Sequence, residues 1–377
     1  MLGVLGGGQL GAMFIGAATR LGYRVAVWDP DPDAPAHRVA HRSVTAPFDD
    51  TNAMRAFGDE VSAVTYEWEN IPASVVQALE ASKPVRPGSA ILRILQNRVA
   101  QKAFLTDRGF PVTAFKAVVQ PQHLQQASRE IGYPCLCKTA TAGYDGKGQW
   151  HMANDNDAIG VAEQVTHMAR PHSQWIVEQF LAFEKELSVL VVRGEDGEQR
   201  VYPAVENVHE TGILRTTRVP ADIEPAVASE AEALAAAAVM ALEGVGVFCI
   251  ELFLMPDRRL LINEIAPRPH NSAHYTLDAC TVSQFEQQVR ALCGLPLGEV
   301  RLVCPAVMVN LIGDDFARAT SVGGIKTLLK TPGATLHLYN KRSMRPGRKM
   351  GHVTFLAEKA EEAWERAERL RRALAAD

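Results

Sequence analysis

Residues 246–275 read GVFCIELFLMPDRRLLINEIAPRPHNSAHY. Two β-rich runs flank Pro256-Asp257-Arg258-Arg259, the pattern of an antiparallel hairpin with a four-residue loop. That register sets Met255 opposite Leu260, Phe253 opposite Ile262 and Glu251 opposite Glu264, all on one face because strand side chains alternate. Directly opposed like charges, roughly 4.5–5.5 Å apart, destabilise a sheet, so two facing carboxylates call for a compensating cation. A hard divalent ion with oxygen ligands, Mg2+ or Mn2+, suits Glu251 and Glu264, and such an ion ordinarily arrives with substrate phosphates. The competing reading is a solvated edge with surface glutamates; Phe253 and Ile262 weigh against it, because they make this face look buried.

The chain has 377 residues, too many for one ordinary domain, so two or three are expected. A net charge of -4 argues against a general nucleic-acid or membrane binder, which draws on a basic surface. Any anion site must be local. The six cysteines show no C-x-x-C spacing and read as reduced core residues. No basic leader and no run of about 18 apolar residues is evident, so a cytoplasmic protein is expected.

Residues 2–6 form an apolar run ending in Gly6-Gly7-Gly8-Gln9-Leu10-Gly11, followed by a helical segment to Leu21 and a strand, Arg24 to Trp28, that ends at Asp29. This βαβ start resembles a dinucleotide site, with an acid where a ribose would be held. The physics is broader, since glycines and a helix N-terminus accommodate any phosphate or carboxylate. A further strand over 62–68 breaks at Glu69-Asn70-Ile71-Pro72, which puts Glu67 and Glu69 at a carboxyl end, where such sheets bind ligands.

From about Asn97 the pattern changes. A helix over Arg98–Asp107 precedes strands at Phe115–Val119 and Tyr133–Lys138 and a helix near 121–131. Then comes TATAGYDGKGQ (139–149), whose glycines, lysine and hydroxyls, just after Lys138, suit a lid over polyphosphate. It is not the G-x-x-x-x-G-K-[ST] loop. Strand Trp175–Leu181 ends in Glu178-Gln179-Phe180-Leu181, and Glu186 opens Leu187–Arg193; such a linker offers an adenine backbone partners and a ribose a carboxylate.

Tyr202–Arg218 reads as antiparallel strand carrying His209, and the Ala-rich Pro225–Glu243 as helix. Arg268, His270, Asn271 and His274 follow the hairpin in a Pro-broken loop. A helix over 283–293, strands at 302–312 and 335–340, and a surface helix over 359–374 complete the chain. Between the last two lie five cations in nine residues, Lys341, Arg342, Arg345, Arg348 and Lys349. In an acidic chain these suggest a phosphate pocket, because guanidinium groups grip phosphate in bidentate fashion. A lid, an adenine strand, paired carboxylates and a second anion pocket together describe activation of one substrate by ATP and its transfer to another.

The order of Lys138, GYDGKGQ, EQFL, Glu186, Glu251 and Asn263-Glu264 resembles the ATP-grasp superfamily. More narrowly, LGGGQLG, TYEWENIP, AGYDGKGQ, NEIAPRPHNSAHYT and RPGRKMGH, spanning positions 5 to 352, are similar to the 5-(carboxyamino)imidazole ribonucleotide synthase (PurK) family. The resemblance implies an α/β (α+β) ATP-grasp fold. Residues 1–97 would form a Rossmann-like pre-grasp domain, 98–295 the ATP-grasp domain with a lid at about 115–183, and 296–377 a small C-terminal region completing the acceptor site. It implies a homodimeric ligase of purine biosynthesis, using ATP, Mg2+ and bicarbonate to carboxylate 5-aminoimidazole ribonucleotide through carboxyphosphate.

Carried over by position, Arg98 and Lys138 contact ATP phosphates under the loop Gly143, Tyr144, Asp145, Gly146, Lys147, Gly148 and Gln149. Glu178, Gln179, Phe180 and Leu181 hold adenine, Glu186 the ribose, and His209 lies beside the nucleotide. Glu251 and Glu264, helped by Asn263, bind the metal. Gln9, Leu10, Glu67, Asn271, Lys341, Arg348 and Lys349 contact the acceptor, and Tyr144, Asp145, Arg268, His270 and Lys341 surround the reacting centre, where Arg268 orients bicarbonate. Ala273 stands where the family usually has Gly.

The nearest rival is the formate-dependent glycinamide ribonucleotide transformylase, also ATP-grasp. There a Glu is expected in place of Gln9 and an Asp in place of Asn271, as suits a cationic amine rather than a neutral aromatic one. An NAD-dependent oxidoreductase, suggested by the first 29 residues, has no use for facing glutamates or a lysine loop. A silent nucleotide-binding regulator is disfavoured by intact Lys138, Glu251 and Glu264.

Overall fold

The computed structural model describes residues 1–143 and 148–375. Three sheets organise it. The first is parallel, in the order β3-β2-β1-β4, from β1 (Leu2–Leu5), β2 (Val25–Trp28), β3 (Arg42–Val44) and β4 (Ala63–Tyr66). β1, β2 and β4 are buried throughout, as parallel strands covered by helices must be, while the edge strand β3 is largely exposed. One covering helix is Gln9–Arg20, which packs against Gln284–Cys293 from much later in the chain.

The second sheet is antiparallel, β5-β8-β6-β7, from β5 (Phe115–Val118), β6 (Cys135–Thr139), β7 (Gln149–Met152) and β8 (Trp175–Gln179). Helices Leu124–Ile131 and Asp155–Met168 close over its apolar face, burying Cys135, Cys137, Met152 and Trp175.

The third sheet has nine strands: β9 (Lys185–Arg193), β10 (Gln199–Val201), β11 (Val205–Glu210), β12 (Ile213–Val219), β13 (Gly246–Leu254), β14 (Leu260–Ala266), β15 (Ala306–Ile312), β16 (Ala334–Leu338) and β17 (Lys349–Leu356). Its main path runs β14-β13-β9-β11-β12-β15-β17-β16, with β10 on β9, so the last three strands extend the sheet that begins with the hairpin.

The helix Pro225–Leu242 is by length and composition apolar enough to cross a membrane, although Ser229, Glu230 and Glu232 keep it from being an unbroken apolar run. Here its small-residue stripe, Ala231, Ala235, Ala238 and Val239, is buried with Leu187, Val189, Phe248 and Ile250 of β9 and β13.

The hairpin register holds at Glu251 opposite Glu264 and then shifts. Beyond a bulge, Leu252 faces Ile262, Phe253 faces Leu261 and Leu254 faces Leu260, so the expected pairs Phe253–Ile262 and Met255–Leu260 do not form. Ile262 is fully buried in the core, while Phe253 lies on the opposite, half-buried face. The physical reason is Asn263: as the extra residue of the bulge it lets two consecutive side chains, Asn263 and Glu264, share the cleft face, which regular alternation forbids.

Candidate functional site

A single cleft of about 990 Å3 lies where the three sheets meet, and most of the expected residues line it. At the first sheet the glycine loop is already occupied. Glu67, at the carboxyl end of β4, accepts hydrogen bonds from the Gly8 and Gly11 amides at 2.7 and 2.8 Å, and Asp29 accepts from Gly7 at 2.6 Å. A Cβ on Gly8 would sit 2.7 Å from the Glu67 Oε1 atom. The glycines therefore serve close approach of the chain's own carboxylate, and the dinucleotide reading loses its donors. Burial pushes the Glu67 carboxyl up, the Gly11 and Gly8 amides pull it down, and burial prevails. Gln9, Leu10 and Glu67 all face the cleft.

Toward the second sheet stand Arg98, Lys138, Gly143, Gly148, Gln149, Phe180, Glu186 and His209. Arg98 reaches Glu264 at 2.6 Å, which raises its pKa, with burial opposing. Glu178 does not line the cleft: its buried carboxylate meets the Lys138 ammonium at 2.5 Å and that of Lys102 at 3.4 Å. Burial alone would raise the Glu178 pKa, but Lys138, Lys102 and Arg98 hold it at about 2. Lys102 also donates to the Ile262 carbonyl of the hairpin at 3.1 Å. Gln179 and Leu181 also lie outside the lining, whereas Phe183, stacked on Phe253 with ring centres 4.6 Å apart, belongs to it. Glu186 and His209 form a hydrogen-bonded pair. Tyr144, Asp145, Gly146 and Lys147 lie outside the described residues.

The hairpin contributes Glu251, Asn263 and Glu264 from one wall. His270 Nε2 meets Glu251 Oε1 at 3.1 Å. Burial would raise the Glu251 pKa, but His270 outweighs it and keeps the carboxyl below its usual range. Two carboxylates and a carboxamide on one face form the hard oxygen set that Mg2+ or Mn2+ takes, so the residues fit such an ion.

On the far wall are Arg268, His270, Asn271, Lys341, Arg345, Arg348 and Lys349. Arg268 is held in bidentate fashion by Glu69, and Nη2 meets Oε1 at 2.9 Å. Burial would raise the Glu69 pKa, yet Arg268 lowers it. The guanidinium expected to orient bicarbonate is therefore fixed in place and keeps only part of its donor fork for a ligand. Asn271 exchanges two hydrogen bonds with Asn310, at 3.1 and 2.6 Å. Lys341 donates to the Lys349 carbonyl at 2.8 Å and lies over the Tyr339 ring. Arg342, the second cation of its run, instead pairs with Asp33 at 2.9 Å.

Sequence reasoning did not carry Lys102, Phe183 or Asn310 into the site, whereas Arg345, read in the cation run, and Phe253, read on the hairpin face, do line the cleft. Two of the missed residues had a signal. Lys102 lies one helical turn after Arg98 on the same face, and Asn310 is the lone polar residue of an apolar strand, where it must find a partner.

Three family models match consecutive parts of the chain: the ribonucleotide synthetase preATP-grasp domain at 1–96, the ATP-grasp domain at 103–285, and the phosphoribosylaminoimidazole carboxylase C-terminal domain at 306–366. The N5-carboxyaminoimidazole ribonucleotide synthase of Bacillus subtilis (strain 168) is 41% identical over 362 residues, covering 96% of this chain and 93% of its own. The chain belongs to this synthase family. The Brucella melitensis biotype 1 synthase is 39% identical, over 94% of this chain and 95% of its own. An ADP complex of an N5-carboxyaminoimidazole ribonucleotide synthetase superposes with a TM-score of 0.92 at 40% identity, covering 98% and 96% of the two chains. The Aspergillus clavatus synthase, in complex with ADP and 5-aminoimidazole ribonucleotide, does so at 0.89 and 33% identity, covering 99% and 98%. With the family comes the ATP-grasp fold, preceded by its pre-ATP-grasp domain.

Proposed function

We propose that this chain is an ATP-dependent carbon–nitrogen ligase that carboxylates the exocyclic amine of 5-aminoimidazole ribonucleotide with bicarbonate, giving the 5-carboxyamino product in purine biosynthesis. One observation carries the reading: a single cleft lined at one end by Arg98, Lys138, Glu251 and Glu264 and at the other by Asn271, Lys341, Arg348 and Lys349. A nucleotide end and a second anion end in one cavity suit transfer between two bound substrates. Relatives named for this reaction support it.

In the proposed mechanism a bicarbonate oxygen attacks the γ-phosphorus of ATP, the bond to the β-phosphate oxygen breaks, and ADP and carboxyphosphate form. Arg98 and Lys138 hold the phosphates, and their charge stabilises the spreading negative charge. Glu251, Glu264 and Asn263 hold Mg2+, which when bound neutralises phosphate oxygens. The acceptor's phosphate lies among Lys341, Arg348 and Lys349, with Gln9, Glu67 and Asn271 along the nucleotide. Its amine is then held beside the carboxyphosphate, so that proximity replaces a bimolecular encounter. Arg268, clamped by Glu69, and His270, set against Glu251, flank the bicarbonate. Segment 115–183 closes as a lid and excludes water; 1–97, 98–295 and 296–377 act as the three units around it. A homodimer and a cytoplasmic location complete the proposal, the second supported by six free cysteines.

The test is ADP release with MgATP and bicarbonate, with and without 5-aminoimidazole ribonucleotide, run beside glycinamide ribonucleotide plus formate. Turnover stimulated only by the aminoimidazole is expected. Turnover only with formate and the glycinamide would reassign the acceptor, and silence in both would leave a regulator.

A further inference from the structure

Helix Arg98–Asp107 lies beside β14, the end strand on the main path of the nine-stranded sheet. Its consecutive residues Gln101 and Lys102 are 3% and 2% exposed, and both reach the β14 backbone. Gln101 Oε1 accepts from the Ile265 N–H at 2.8 Å, and Gln101 Nε2 donates to the Ile265 carbonyl at 3.1 Å. Lys102 Nζ donates to the Ile262 carbonyl at 3.1 Å, and the Ile262 N–H donates to the Pro111 carbonyl at 2.8 Å. These directions are fixed, because an ammonium and a backbone N–H only donate and a backbone carbonyl only accepts.

A regular strand turns its backbone groups to one side at every second residue. Here the two gripped residues, Ile262 and Ile265, are three apart, because the bulge at Asn263 intervenes. The helix therefore holds the bulge from both ends, and between the two grips Asn263 and Glu264 face the cleft.

At Ile265 a neutral amide suffices for such a grip. At Ile262 the chain uses a buried ammonium instead, which is costly unless it is paired. Its partner is Glu178 Oε1 at 3.4 Å, and Glu178 Oε2 meets Lys138 at 2.5 Å. Glu178 and Lys138 belong to the second sheet and Ile262 to the third. The Lys102 ammonium thus touches both the carboxylate behind the phosphate lysine and the backbone beside the metal-facing residues. One turn earlier Arg98 makes a similar link, donating to Glu264 at 2.6 Å and to the Gly143 carbonyl at 3.2 Å.

We propose that Lys102 is a positioning residue that sets the Asn263–Glu264 bulge against Lys138, so that a divalent ion and the nucleotide phosphates are held in one register. The proposal rests on the reading of Asn263 and Glu264 as metal ligands and of Lys138 as a phosphate contact. Groups behind a metal ligand fix its orientation, and losing one typically weakens the metal about 10–100-fold. Lys102 acts through the backbone, so the lower end of that range applies.

The experiment compares ADP binding to the full-length protein by calorimetry, in EDTA and with excess Mn2+. The gain in affinity on adding Mn2+ reports how well the metal ligands meet the phosphates. Lys102→Met keeps an unbranched side chain without the charge. It leaves Glu178 on Lys138, so ADP binding in EDTA should stay close to wild type, while the Mn2+ gain should fall about tenfold. Glu178→Gln should do the reverse, weakening ADP in EDTA and keeping the gain, because the grip on Ile262 survives. The double variant should lose the gain even though it is more stable than Glu178→Gln.

A full Mn2+ gain in folded Lys102→Met would overturn the proposal. A purely structural role would make the gain follow stability, lowest in Glu178→Gln and higher in the double variant, and that order would overturn it too. If Lys102→Met does not fold, the double variant against wild type decides. Wild-type protein with no Mn2+ gain would overturn the metal reading and this proposal with it, whereas a wild-type gain that Lys102→Met and the double variant keep overturns the proposal alone.

Discussion

Replacing Glu178 by glutamine keeps a shape and removes the charge on which two buried ammonium groups converge, Lys138 at 2.5 Å and Lys102 at 3.4 Å. The carboxyl is held at about 2 against an ordinary 4.5, which corresponds to roughly 3 kcal/mol of folding stability. This folded-state pKa is depressed, so the contribution is complete above the unfolded value and is lost as pH falls toward 2. Removing one partner of a buried pair gives the same scale independently, about 3–5 kcal/mol.

Glu178→Gln should therefore lower stability by roughly 3 kcal/mol at pH 7, about 6–12 °C in melting temperature for a folding unit of ordinary size. By pH 3 the gap to wild type should narrow by roughly 1–2 kcal/mol, because wild type loses part of its advantage there. Urea unfolding at the two pH values measures both. Adding Lys102→Met to Glu178→Gln should restore stability, since it removes an uncompensated buried charge. A gap that is the same at pH 7 and pH 3, or a double variant no more stable than the single one, would refute the electrostatic account of this triad.

Three further outcomes are expected. Lys341→Ala should raise KM for 5-aminoimidazole ribonucleotide about 10–100-fold while leaving KM for ATP within a factor of about two, a split that steady-state kinetics resolves and that corresponds to about 1.4–2.7 kcal/mol. Glu264→Gln should weaken divalent-ion activation by at least about tenfold, read from Mg2+ titrations at saturating nucleotide. Gly8→Ala, whose Cβ would lie 2.7 Å from Glu67, should cost about 1–3 kcal/mol in thermal unfolding; a variant as stable as wild type would mean that the loop relaxes freely.

The pairing of Glu251 with Glu264 was legible because alternation and a loop signal suffice to count outward from a turn. The bulge at Asn263 was not, since an inserted residue leaves no mark on a period-two pattern until both strands are seen. The glycine loop was legible as a helix N-terminus that wants an anion, but not as one satisfied from within: Glu67 lies nearly sixty residues away, and only the fold brings it there. Some helices were passed over that their caps announce. Asp50 receives the amides of Asn52 and Ala53, and Asn154 those of Asn156 and Asp157, at the starts of Thr51–Glu60 and Asp155–Met168. Glu178 was read as a ligand contact because strand ends usually face solvent; its burial depends on Lys102, from a helix that pattern reading does not dock.

The nine-stranded sheet works as a ruler. Glu251 stands on β13, and Asn310, which grips the proposed acceptor loop at Asn271, stands on β15, four strand spacings away. At about 4.8 Å per spacing that is roughly 19 Å, held by backbone hydrogen bonds rather than by a hinge. The two proposed ends of the cleft therefore cannot slide toward each other without breaking the ladder. Any change in the reach between the substrates must come from outside this sheet, and a longer acceptor would need an added strand, not a longer loop.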